Sequence, residues 1–112
     1  MKRHKLPDIR VGKIRKAVIA GHEVLLETGN YPDGELGEFK LHVGKEGSEV
    51  RLYDKIADGY SLALQYGAPV ELIVEHMEHH RTELGGVVQG CDVKTCKSII
   101  DWAAKRIRID YL

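Results

Sequence analysis

Between Lys13 and Val43 apolar and polar residues alternate with a period close to two. The segments 14–19 and 24–28, and the run Phe39, Leu41, Val43 interleaved with Lys40 and His42, predict three strands. Ala20-Gly21 predicts a tight first turn. Tyr31-Pro32-Asp33-Gly34 predicts a second, because proline presets φ while Asp and Gly suit the positions that follow. The expected product is an antiparallel meander with one face turned to a core. Residues 1–12 are polar, carry Pro7 and Gly12, and read as an arm lying on the body or on a partner; residues 13–112 read as one domain.

The period changes after Gly44. Ser48 is placed to cap a helix in which Tyr53, Ile56, Ala57, Tyr60 and Leu64 recur at helical spacing, with Ile56, Tyr60 and Leu64 expected against the sheet. Gly67 closes it near Tyr66. Pro69 then suits the first turn of a second helix, whose stripe is Val70, Ile73, Val74 and Met77 and which ends near His80. A glycine-rich link, Leu84 to Gly90, follows. Asp92 predicts the cap of a third helix with Val93, Cys96, Ile100, Ala103 and Ile107 on its stripe. Strands first and helices later predict an α+β fold, a three-stranded antiparallel sheet followed by three helices packed on it.

Composition narrows the function. The 17 basic and 17 acidic residues cancel, so no global field draws the chain to nucleic acid or an anionic membrane. No run approaches the roughly 20 apolar residues of a membrane span, and the basic start Met1-Lys2-Arg3-His4-Lys5 leads into no apolar signal core; the expected location is cytoplasmic. Cys91 and Cys96 are then expected to stay reduced. Trp102, Ile109, Tyr111 and Leu112 look more apolar than one small domain covers, which predicts a homo-oligomer, a symmetric dimer in its simplest form.

Several separated motifs agree with one family. Gly21-His22-Glu23, Gly29-Asn30-Tyr31-Pro32-Asp33-Gly34 with Gly37-Glu38, and Lys45-Glu46-Gly47-Ser48 come first. Ser61-Leu62-Ala63-Leu64-Gln65-Tyr66-Gly67 with Pro69 and Glu71 is the most specific piece; Arg81-x-Glu83-x-x-Gly86 and Lys97-Ser98-Ile99-Ile100-Asp101 follow. In order and spacing these resemble a segment near the C-terminus of adenosylcobalamin-dependent (class II) ribonucleotide reductases, a region described as a TSCPD domain that also occurs in stand-alone small proteins. The chain departs from that segment at Thr82, where an aromatic is usual, and near Leu84, where a proline is usual. The resemblance implies a module of nucleotide metabolism that binds a nucleotide or docks on a reductase. The reductase barrel, radical-transfer cysteine and cobalamin site lie outside the segment, so the chain is expected not to be a reductase and to carry no cofactor.

The residues offer three chemistries beside this. Lys45, Gly47 and Ser48 at a strand-to-helix junction supply N–H groups, a helix dipole and a cation suited to phosphate, although the P-loop order is absent. Arg81 is the second cation expected there, its planar fork matching phosphate oxygens. It could equally form an ion pair with Glu83. His76, His79 and His80 are rich in metal-ligating nitrogen and would serve a small metal-binding enzyme, but they flank the core residue Met77 on its solvated side and lack a zincin pattern. No serine has the context of a nucleophile. A module binding a nucleotide or a reductase leads, followed by an oligomer that sequesters a nucleotide signal.

Overall fold

In the computed structural model residues 2–44, 48–82 and 84–112 are described, with the side chains of all but 48–50. Lys45, Gly47 and Glu83, and the side chain of Ser48, therefore lie outside what is described. The elements run β1 (Ile14–Ile19), β2 (His22–Asn30), β3 (Leu36–Val43), α1 (Ser48–Gln65), α2 (Val70–Met77), β4 (Gly86–Gln89), β5 (Thr95–Cys96) and α3 (Ile99–Tyr111).

The meander forms as its pattern dictates. Ile19 pairs with His22 across the two-residue turn Ala20-Gly21, in which both residues have positive φ (51° and 78°), the handedness that matches strand twist. The second turn is held by Gly34 N–H to Tyr31 O (2.9 Å), Tyr31 N–H to Glu35 O (2.8 Å) and Glu35 N–H to the Asp33 carboxylate (2.9 Å). Ala17, Ile19, Val24, Leu26, Phe39, Leu41 and Val43 fill the covered face.

The expected three-stranded sheet is not what forms. The sheet has five strands in the order β3-β2-β1-β4-β5, all pairings antiparallel. The stretch read as a glycine-rich link contains β4, which returns after α2 to pair with β1 (Ile19 with Val88), and β5 follows it. Strands of four and two residues are too short to display a period, which is why neither shows in the pattern. The class remains α+β.

The third helix is corrected with it. It starts at Ile99, and its cap is Ser98, whose Oγ accepts Asp101 N–H (2.9 Å), while Val93 precedes β5 and Cys96 ends it. Trp102, expected at the surface, is fully buried between α3 and the core; Ile109 and Leu112 remain exposed. On α1, Ala57 and Leu64 are buried, while Ile56 and Tyr60 are only half-buried. The helix covers the outer edge of β3. Ser61 Oγ accepts Phe39 N–H (3.0 Å) and shares its hydrogen between Phe39 O (3.0 Å) and Ala57 O (2.8 Å), and Gln65 Nε2 donates to Gly37 O (3.2 Å). Edge groups that would otherwise template another strand are thus satisfied within the chain. No helix among the described residues is long and apolar enough to cross a membrane.

Asp101 ties the second half together. Its buried carboxylate accepts His79 N–H (2.7 Å) and Lys97 N–H (2.8 Å), and Lys105 Nζ lies 3.2 Å away. Burial works to raise its pKa, but the Lys97, His79 and Lys105 hydrogen bonds outweigh it and hold the group below its ordinary value. Removing the carboxylate strands two backbone donors, so Asp101→Ala should lose about 3–5 kcal/mol in urea unfolding; a loss below about 1 kcal/mol would contradict this role. Because the folded pKa is depressed, this stabilisation is present above the unfolded value near ~4 and is lost as pH falls through the folded one. An acid titration of stability should therefore be shallower in the variant than in the wild type.

Candidate functional site

The Ser61–Gly67 motif and the motif around Tyr31, some thirty residues apart in sequence, meet in one cavity of about 750 Å³. One wall is the β2–β3 turn with Tyr31 and Asp33; the other is the end of α1 with Gln65 and Tyr66, followed by Pro69 and Glu71. Gly67 (φ 108°) turns the chain sharply between the helices. Gln65 is the junction. Its side chain bonds the β3 edge and accepts Arg3 Nε (2.6 Å), and its backbone O accepts His4 N–H (2.7 Å). The arm is thereby laid on the body. Tyr31 OH donates to His4 O (2.5 Å), and the two rings are 4.6 Å apart. A Cβ on Gly37 would come within 2.6 Å of Leu6 and 2.8 Å of Tyr31, so only glycine lets the arm lie this close.

The floor of this site reaches the C-terminal helix. Tyr111 OH donates to Asn30 Oδ1 and therefore accepts from Thr28 Oγ1 (2.7 Å), and Lys13 Nζ stands 5.4 Å from the Tyr111 ring. Burial pushes the Tyr31 phenol up from its ordinary pKa, with Arg3 opposing and Asp33 and Glu38 adding to the rise. Asp33, Glu35 and Glu71 give the rim an acidic character that Lys2 partly offsets. The Tyr31 and Tyr111 hydroxyls are engaged in hydrogen bonds.

A second polar cluster lies where β1, the β4–β5 loop and α3 meet. Asp110, whose side chain is buried, accepts Arg15 Nε (3.0 Å), Arg15 NH2 (2.7 Å) and Arg106 NH2 (3.1 Å). Arg106, also buried, further pairs with Asp92 on the β4–β5 loop. Burial tends to raise the Asp110 pKa, but its hydrogen bond to Arg15 and the charges of Arg106, Arg15 and Lys13 bring it below the ordinary carboxylate value. Only the spacing of Arg106 and Asp110, four residues apart on a helix, announces this cluster in the sequence. Arg15, 95 residues from its partner, gives no local signal.

Ser48 opens α1, the element that follows β3 in the chain, whereas Arg81 lies exposed beside Thr82, whose N–H bonds Lys97 O (3.1 Å) next to β5. Those strands are the two ends of the sheet order. Of the histidines, His76 Nδ1 is bonded to Tyr60 OH (2.8 Å), and His79 sits in the left-handed region (φ 64°) with its N–H on Asp101. Among the described residues no three His, Cys, Asp or Glu side chains are grouped to hold a metal. Cys91 and Cys96 are free thiols, and burial is the leading cause that raises the Cys96 pKa.

Taken together, these elements define a small α+β domain. The chain belongs to the TSCPD domain family, which it matches over residues 2–111. It is 41% identical over 112 residues to a vitamin B12-dependent ribonucleotide reductase of Bradyrhizobium diazoefficiens and 40% identical to that of Agrobacterium fabrum, in each case over 98% of this chain and 9% of the reductase. A reductase of the same name from Streptantibioticus cattleyicolor is 33% identical over 111 residues, 18% of its length. The chain thus corresponds to a small segment of these relatives. No solved structure matches it.

If Gln65 joins edge, helix and arm as described, Gln65→Ala should lose about 1–3 kcal/mol and speed tryptic cleavage after Arg3, Lys5 and Arg10. Arg3→Ala should loosen the arm with little loss of stability. Unchanged cleavage in both variants, followed by mass spectrometry, would show that the arm is held by other contacts.

Proposed function

We propose that the chain is a non-catalytic accessory module of ribonucleotide reduction that docks on a vitamin B12-dependent reductase. The observation that carries this reading is the match itself: almost the whole chain aligns at up to 41% identity with a segment that is only about a tenth of such a reductase. A segment of that size is too short to hold a whole reductase, and its proposed contribution is a surface. With zero net charge the chain has little long-range steering, so docking depends on shape and local pairing. The cavity built by the family motifs supplies both, with Tyr66, 44% exposed, as the aromatic anchor and Glu71 on its rim.

Biolayer interferometry against a purified reductase of this class is expected to give saturable binding. Tyr66→Ala and Glu71→Lys should each weaken it by about tenfold or more. No binding at about 100 μM, or affinity unchanged in both variants, would overturn the reading.

A nucleotide-binding reading is favoured by one feature, the 18-residue helix α1 that begins at Ser48 as the next element after β3. Lys45, Gly47 and Ser48 are its first contacts and Arg81 its second cation. In calorimetric titrations with nucleoside phosphates, Arg81→Ala should weaken binding roughly 10- to 150-fold; wild type that binds none of them ends this reading. Ile109 and Leu112, 58% and 55% exposed, provide the apolar surface for a homo-oligomer, and light scattering that gives a monomer at tens of micromolar, above roughly micromolar dissociation constants, counts against it.

A further inference from the structure

The Arg106 cluster opens onto a cavity of about 670 Å³ lined by Arg15, Lys16, Cys91, Asp92 and Arg106. The position of Arg106 there is unusual for a structural arginine. Its side chain is 2% exposed, and its Nε, also buried, has no hydrogen-bond partner among the described residues. Behind it Asp110 is 4% exposed and is shared with Arg15, which takes both of its oxygens. One carboxylate therefore serves two guanidinium groups. The second counter-charge is Asp92, which reaches Arg106 NH1 from a loop and is itself 74% exposed. Arg15 and Arg106 share the two carboxylates and Lys16 also lines the cavity, so these five groups carry one net positive charge in a chain whose total is zero.

We propose that this cavity binds a phosphate group, and that the Asp92 carboxylate takes the anion's place on Arg106 when the site is free. An arginine fork fixed by a buried acid is pre-organised for two phosphate oxygens, and a partly desolvated guanidinium holds such an anion better than one in open water. Lys16 supplies a point charge at the rim. The exposed Asp92 is the one anion on the lining, so it can yield its position with little loss of buried structure. The volume admits a phosphate with its substituent. The inference does not depend on docking to a reductase, and it uses different residues from the helix-start reading, so each can fail alone.

Inorganic phosphate, and separately ATP, titrated at low salt provide the test, read by calorimetry and by the rate at which iodoacetamide alkylates Cys91. Cys91 lines the cavity, whereas Cys96 is buried and serves as the internal reference. Phosphate should slow alkylation of Cys91. Asp92→Asn should bind phosphate about tenfold tighter or more because the competing anion is gone, and Lys16→Ala, at an exposed position, should bind more weakly. Arg81→Ala should change neither. ATP binding tighter than phosphate identifies a nucleotide as the source of the group; equal affinity identifies phosphate alone. Absence of saturable binding up to about 10 mM in both wild type and Asp92→Asn, or an Asp92→Asn variant that folds by circular dichroism yet binds no tighter, overturns the proposal.

Discussion

The second half of this fold depends on one buried carboxylate. Asp101 is inaccessible to solvent, and an ionised group in that position is tolerated only when it is fully hydrogen-bonded. Its partners come from three places: His79 just beyond α2, Lys97 just beyond β5, and Lys105 one turn further along α3. Together with the Ser98 cap it fixes where α3 starts. The start of a helix sets which residues share each face, so Trp102, Arg106 and Asp110, spaced by four, come to lie along one line. The core tryptophan, the buried arginine and the acid that pairs with Arg15 follow from that register. His79 is held in a backbone region that a residue with a Cβ seldom occupies, a cost met by its bond to the same carboxylate.

Polar side chains also protect the sheet at its first edge. Ser61 and Gln65 lie one helical turn apart on α1 and reach the outward-facing backbone of Phe39 and Gly37, which are two residues apart on β3. The match between a four-residue helical step and a two-residue strand step lets one helix face satisfy one strand edge. At the other edge β5 is only two residues long and offers little to pair with. Here the specificity of the motif from Ser61 to Gly67 acquires a physical meaning: it closes an edge, ends a helix and anchors the arm.

The first half of the molecule was legible in the sequence because its signals are local. Ala20-Gly21 and Tyr31-Pro32-Asp33-Gly34 each contain the whole instruction for a turn, and Ala57 and Leu64 recur at helical spacing. In the second half α2 was legible after Pro69, but the strands were not, because β4 is defined by pairing with a strand some seventy residues earlier and β5 has almost no length in which to alternate. Asp92 and Ser98 are both cap-type residues. The choice between them lay in Asp101, three residues after Ser98, a capping-box spacing that Asp92 lacks. Of the site, the motifs named the residues around Gln65, while the pairing of Arg15 with Asp110 and of Tyr111 with Asn30 exists only once the chain ends have met.

The strand order has a consequence for how the chain reaches this state. The meander and α1 bring together residues that are close in sequence, so they can assemble with small loss of loop entropy. β4 joins at the edge of β1 that β2 leaves free, across some seventy residues of intervening chain. Until it does, β1 is an open edge whose backbone groups face water or another chain. Folding is thus expected to be limited by this long-range closure, and the interval before it is when the protein is most exposed to pairing with its neighbours.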